Sequence, residues 1–276
     1  MHYRGMGPLL TESTIELLLG ARATPGAPLQ CTLDLGRSLS EVAVGATTWG
    51  WRGGQFPYPA AGKERTIYYW DEGTFQPAAR FTRSLVKLVP TEFGPPTFEI
   101  DGIKMLPTSQ GSPYADAERK VALVRPAGKI ILDTCGGLGY FAACCLSARA
   151  VRIISFEKNP DVIWLRGLNP WSPGGDSSLT LIQADVTDAV KSLSDGSVHG
   201  VLHDPPRFGI AGELYSQQFY QQLWRVLKPR GRLFHYTGSP NRASSGRDLA
   251  AEVTKRLRAA GFGAEKSGDG VLAIKG

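Results

Sequence analysis

Cysteine is scarce in this 276-residue chain: Cys31, Cys135, Cys144 and Cys145 are the whole complement, and two of them are neighbours. That pattern makes neither a disulfide framework nor a Cys-x-x-Cys metal knuckle, which excludes a small stapled secreted fold and fits a reducing cytoplasm. No metal-ligand set is expected. Long apolar runs are missing too, none reaching the ~18 residues of a membrane span, so no membrane association is expected. The leucine-rich stretch near the start holds Glu12 and Glu16, which makes a poor signal peptide. Internal repeats and low-complexity tracts are lacking. What remains is ordinary for a folded protein, with 42% hydrophobic and 20% charged residues, and it excludes disorder as the general state. The length suffices for one large domain or two modest ones.

The formal net charge of +6 is unevenly placed. Residues 1–105 hold ten Lys/Arg against ten Asp/Glu, and residues 106–224 hold ten against eleven. Residues 225–276 hold eleven against four, a local excess of +7. Two readings are open here: a solvated helix face that aids solubility, or an electropositive flank for a polyanion such as RNA.

Residues 1–105 read as a small, mostly β domain. Ser13 and Glu16 have capping-box spacing at a short helix over Ile15–Leu19. A link with Pro25, Gly26 and Pro28 follows, and then apolar residues alternate at Leu29, Cys31, Leu33 and Leu35, a strand period. Residues 106–276 have a different rhythm. A helix around Asp116–Val124 precedes a strand over Lys129–Asp133, and strands and helices then alternate through Gly200–Asp204. This alternation predicts an α/β fold, a doubly wound and mostly parallel Rossmann-like sheet whose ligands bind outside the carboxyl ends of the strands. Four predicted strands end in acids: Asp133, Glu157, Asp185 and Asp204.

Between the first of these strands and its helix lies Asp133-Thr-Cys-Gly-Gly-Leu-Gly139. Gly137 and Gly139 have no Cβ and let the backbone approach a ligand closely. Glu157, at the end of the next strand and followed by Lys158, suits a ribose diol, because a carboxylate accepts two hydroxyl donors at once. Asp185 is positioned to accept from an adenine amino group. Taken alone, the glycine turn also fits dinucleotide binding.

Together these residues resemble the class I S-adenosylmethionine-dependent methyltransferases. Asp133-Thr-Cys-Gly-Gly-Leu-Gly139 is similar to their first motif, Glu157 to the ribose-binding acid, Ala184-Asp185 to the adenine-side motif and Asp204-Pro205-Pro206-Arg207 to the substrate-side motif. Cys135 stands where the first motif normally has its first glycine. A narrower resemblance is to a predicted methyltransferase family found mainly in archaea. It rests on Thr97-Phe-Glu-Ile-Asp-Gly-Ile-Lys-Met105, Asn169-Pro-Trp-Ser172, His203-Asp-Pro-Pro-Arg-Phe208, Ala211-Gly-Glu-Leu-Tyr215 and Leu233-Phe-His-Tyr236, and so spans both domains. The resemblance implies S-adenosylmethionine as cofactor, held by Asp133, Thr134, Cys135, Gly137, Gly139, Glu157, Lys158 and Asp185.

On the acceptor side, Asp204 and Pro205 supply a carboxylate and a rigid turn. Arg207 occupies the position at which amine-methylating relatives carry a base-stacking aromatic residue, and Phe208 follows it. The same motif resembles that of enzymes methylating C5 of uracil in RNA, which need a cysteine nucleophile after the next strand. That stretch here is His235-Tyr-Thr-Gly-Ser-Pro-Asn-Arg242, and no cysteine lies beyond Cys145. Direct in-line transfer to nitrogen or oxygen remains. His235 is a candidate base, His203 a weaker one, and Tyr215 a candidate cover for the acceptor; a hydrogen-bonded core position is the alternative for each histidine. Arg242 and Arg247, in the turn-rich loop beyond Tyr236, are candidate phosphate contacts. The expected function is a methyltransferase acting on a base nitrogen of RNA, tRNA foremost. The alternatives are a small-molecule methyltransferase, an aminopropyl transferase on the same fold, or a binding module without chemistry.

Overall fold

Short β-branched and leucine-rich segments, buried on both faces by the helices between them, build the sheet that the alternating pattern predicts. The computed structural model describes residues 7–108, 111–238 and 248–276. Strands Ile130–Asp133 (β1), Arg152–Glu157 (β2), Leu179–Gln183 (β3), Val198–His203 (β4), Leu227–Tyr236 (β5), Phe262–Ser267 (β6) and Gly270–Lys275 (β7) form a seven-stranded sheet in the order 3-2-1-4-5-7-6. β1 to β5 run parallel, and β7 is antiparallel to both β5 and β6. This is the α/β class expected from the sequence.

The strand order reverses at β1, which pairs with β2 on one side and β4 on the other. In open α/β sheets that reversal leaves a crevice at the carboxyl edge. The register keeps the carboxyl ends level: Asp133 lies beside Ser155 and Leu202, and His203 beside His235. Helices Pro113–Val124 (α1), Tyr140–Ser147 (α2), Pro160–Leu168 (α3), Val186–Ala189 (α4), Gln217–Val226 (α5) and Leu249–Ala259 (α6) connect or flank the strands. Leu132, Val201, Leu233, Tyr220, Leu223, Leu257 and Val271 share one core, each large side chain adding roughly 1.5–3 kcal/mol by burial. Ser216 and Asp248 start α5 and α6 by accepting from Phe219 N–H and Ala251 N–H.

Two compact units divide the chain: residues up to Asp116 together with Trp164–Gly174, and Ala117–Ile163 together with Gly175–Gly276. The sheets of the first are antiparallel among the described residues. Leu29–Cys31, Ser40–Val44, Thr48–Trp51 and Gly54–Pro57 form one, and Ala79–Phe81, Leu85–Val89, Thr97–Ile100 and Ile103–Lys104 another. Trp49, Trp51, Phe56 and Ile15 are buried in its core. The helix here is Glu12–Ala21, capped by Thr11, whose hydroxyl accepts from Thr14 N–H. The capping box expected at Ser13 is therefore displaced, because Thr11 offers the same hydroxyl two residues earlier and gains an extra half-turn. Trp171, in the segment that joins this unit, donates its Nε1–H to the Leu35 carbonyl at 2.8 Å.

Candidate active site at the carboxyl ends of the strands

β1 delivers Asp133 to the edge with its side chain buried, and Oδ2 accepts from Ser155 Oγ on β2 at 2.8 Å. Thr134 ties the turn to β4: its N–H donates to the Leu202 carbonyl at 3.1 Å, and its hydroxyl lies 2.7 Å from His203 Nδ1. The chain then turns on Gly137 (φ 48°) and Gly139 (φ 83°), left-handed conformations that a Cβ would strain. Glu157 reaches back from the end of β2. Its Oε2 accepts from Gly137 N–H at 2.9 Å and its Oε1 from Asn159 N–H at 2.8 Å. Cys135 sits among these groups. Burial pushes its thiol well up; the carboxylates of Glu157, Asp133 and Asp204 act in the same direction, against a hydrogen bond from Thr134. Acids from the ends of three adjacent strands therefore bear on one point.

Asp185 does not close β3 as the sequence pattern suggested. It lies two residues beyond the strand and caps α4, with Oδ1 accepting from the Thr187 N–H at 2.9 Å and the Thr187 hydroxyl at 2.7 Å. Its Oδ2 accepts from Lys158 Nζ at 2.7 Å. Burial acts to raise the Asp185 carboxyl, but the bonds from Lys158 and Thr187 outweigh it and hold it below its usual range. Lys158 is mostly exposed, so water screens this pair and its worth in stability is small.

Asp204 stands just past β4, where Pro205 has no N–H to continue the ladder. Its Oδ2 accepts from Lys120 Nζ at 3.4 Å. Lys120, on α1, is only 1% exposed, and its ammonium also lies 3.6 Å from the centroid of the Tyr236 ring. Pro205 is buried, while Arg207 is exposed. Phe208 meets the Tyr215 ring edge-on at 5.4 Å between centroids, and Tyr215 donates its hydroxyl to the Pro206 carbonyl at 3.0 Å, which braces the turn. Burial raises the Tyr215 hydroxyl far above its ordinary value, with Asp204 adding to the shift; it is a donor here, not a base.

The two histidines are enclosed. His235 donates Nδ1–H to the Tyr236 carbonyl at 2.9 Å, since a carbonyl only accepts, so Nε2 takes the Tyr220 hydroxyl at 2.8 Å. By the same logic His203 donates Nε2–H to the Leu214 carbonyl at 3.0 Å. Burial lowers His203 to about 4 and drives His235 well below its usual value, with His203 nearby adding to that. Both rings are neutral and both are 0% exposed. His203 and Asp204 thus face different surroundings, as the alternation of a strand requires.

The glycine turn, Asp133, Thr134, Cys135 and Glu157 come together at one edge; Lys158 and Asp185 pair beside α4, and Asp204, Phe208, Tyr215 and His235 gather around the ends of β4 and β5. Arg242 and Arg247 lie outside the described residues. Several cations of the basic terminal segment are engaged within the fold. Arg225, Arg232, Arg256, Arg258 and Lys275 all donate to backbone carbonyls, and Lys266 pairs with Asp248. Sequence reasoning missed Lys120 altogether. A signal existed, because Ala117, Lys120, Val121 and Val124 fall at helical i, i+3, i+4, i+7 spacing, and all four are buried. Among the described residues no group of His, Cys, Asp and Glu could hold a metal ion, and no helix is long and apolar enough to cross a membrane.

No family model matches the chain. An uncharacterized protein of Methanocaldococcus jannaschii, MJ1233, is 43% identical over 220 residues, covering 77% of this chain and 74% of that protein. Among solved structures, spermidine synthase in complex with the transition-state analogue AdoDATO superposes with a TM-score of 0.58 at 18% identity, covering 75% of this chain and 77% of that one. Spermidine synthase from Thermotoga maritima gives 0.55 at 18% identity, over 75% and 76% of the two chains. At such identity the likeness is one of fold.

Proposed function

The chain belongs to the same family as MJ1233 of Methanocaldococcus jannaschii, and we propose that this member is an S-adenosylmethionine-dependent methyltransferase whose acceptor is a base nitrogen of RNA, tRNA foremost. The observation that carries the reading is that Asp133 ends β1 and Glu157 accepts from Gly137 N–H at the strand-order reversal, beside a turn made by Gly137 and Gly139. The donor set suits the cofactor: Glu157 for the ribose hydroxyls, Asp185 for the adenine side, and a glycine turn that leaves room for the nucleoside. Bound there, S-adenosylmethionine supplies a methyl group on a sulfonium.

In this reading Asp204 and the braced Pro205-Pro206 turn hold the acceptor nitrogen, and the Asp204 carboxylate accepts the proton that nitrogen gives up. Phe208 and Tyr215 wall the acceptor, the exposed Arg207 meets the incoming polyanion, and Arg242 and Arg247 are candidate phosphate contacts from the sequence. His235 acts by holding Tyr220 and the end of β5 in position, because a neutral ring with both nitrogens engaged is a poor base. Incubation with unmodified tRNA and methyl-labelled S-adenosylmethionine, followed by mass analysis of the nucleosides, tests the proposal. A labelled N-methyl nucleoside is expected, and unlabelled RNA beside a labelled small molecule overturns the RNA acceptor.

A second reading, aminopropyl transfer, is favoured by the fold likeness to spermidine synthase over three quarters of the chain. Against it stand the residues beyond Asp204, which are Pro205, Pro206 and Arg207 where a polyamine would call for further acids.

A further inference from the structure

We propose that Lys120 is a specificity-determining positioning residue that commits the Asp204 carboxylate internally, so that the pocket takes an acceptor neutral at its reacting end and rejects a cationic amine. The inference rests on the methyltransferase reading above and deepens it by naming the acceptor class. A lysine ammonium buried to 1% exposure is costly unless its charge is answered. Here Asp204 Oδ2 at 3.4 Å answers it from one side and the Tyr236 ring face at 3.6 Å from another. The Phe141 ring, 6.0 Å away at the start of α2, encloses it further.

This arrangement has a consequence for the substrate. An amine recognised as its ammonium would need the Asp204 charge for itself and would enter beside a fixed, dehydrated cation. Like charges so placed repel. A neutral N–H or O–H donor meets no such penalty, because a carboxylate that neutralises one cation still accepts hydrogen bonds from neutral donors. A heterocyclic base nitrogen or exocyclic amine meets that description, and a linear diamine at neutral pH does not. Lys120 lies 84 residues from Asp204 in sequence and on a helix preceding β1, so it acts through the carboxylate and is not itself required to touch the acceptor.

The test uses the full chain and putrescine as probe, titrated calorimetrically into wild type, Lys120→Met, Lys120→Arg and the double variant Lys120→Met/Asp204→Asn. S-adenosylmethionine is titrated into each separately. Lys120→Met should bind putrescine at least about tenfold more tightly than wild type, because it removes the fixed cation beside the Asp204 carboxylate. Lys120→Arg should behave as wild type, and the double variant should lose the gain. The double variant removes both charges at once, so it keeps the test readable if the single Met variant fails to fold. Wild type binding putrescine as tightly as Lys120→Met, or a double variant that retains the gain, overturns the specificity role while leaving the methyltransferase reading intact. Loss of S-adenosylmethionine binding by wild type itself overturns that reading instead.

Discussion

Acidification should weaken this protein as the pH falls below about 6.5, and His203 accounts for a part of the effect that can be worked out. Its folded value of about 4 lies below the ordinary 6.5 of an unperturbed imidazole, chiefly through burial. The unfolded chain therefore binds the proton more readily. The associated stability is fully present above about pH 6.5, declines as the pH falls through that value and levels off below about 4. Between about pH 7 and about pH 5 the linkage relation gives a loss of about 2 kcal/mol from this residue alone, and the full window is worth about 3 kcal/mol. His235 is shifted in the same direction, so wild type should lose more than that. Asp185 is held below its usual range, so its contribution persists through this window and is lost only under more acidic conditions.

The assay is urea denaturation at a series of pH values, comparing wild type with His203→Gln. Glutamine can donate to the Leu214 carbonyl and accept from Thr134 without titrating, so the informative quantity is the slope with pH and not the absolute stability. The wild-type curve should fall more steeply, by about 2 kcal/mol over the interval. Parallel curves would refute the assignment of His203 as a neutral, desolvated ring.

Glu157→Ala should weaken S-adenosylmethionine binding by on the order of 1–3 kcal/mol, since ribose hydroxyls and the Gly137 and Asn159 donors all lose their acceptor; calorimetry reporting unchanged affinity sinks the ribose role. Asp204→Ala should abolish most turnover on tRNA while retaining cofactor affinity, and normal turnover would make Asp204 structural. Replacing Arg242 and Arg247 by alanine should reduce the log–log salt dependence of RNA binding by roughly one to two units, measured by filter binding, with cofactor affinity unchanged. Gly270→Ala would set a Cβ 2.4 Å from the His235 carbonyl oxygen and 2.7 Å from the Phe234 ring, so chemical denaturation should report a loss of roughly 1–3 kcal/mol or more.

The strand–helix alternation, the glycine turn and the acids at Asp133 and Glu157 were legible in the amino-acid sequence, because each is a local matter. Period 2 and period 3.6 follow from backbone geometry, and a turn through positive φ selects glycine wherever it occurs. Asp185 and Thr11 mark the limit of that local logic, since a capping side chain competes with the strand or helix boundary by one or two residues. Eleven cations near the end of the chain left a solvated face and a surface for a polyanion both open, and the structure adds only that Arg225, Arg232, Arg256, Arg258 and Lys275 donate to carbonyls contributed by other elements. For Lys120, helical spacing marks a buried face, but only the packing of α1 brings Asp204 and Tyr236 to it. The sequence thus determined which elements form and, at Asp133 and Glu157, which acids end them. Tertiary structure alone decided which charges are buried, because the free energy of a buried charge depends on partners far away in the chain and not on its neighbours in it.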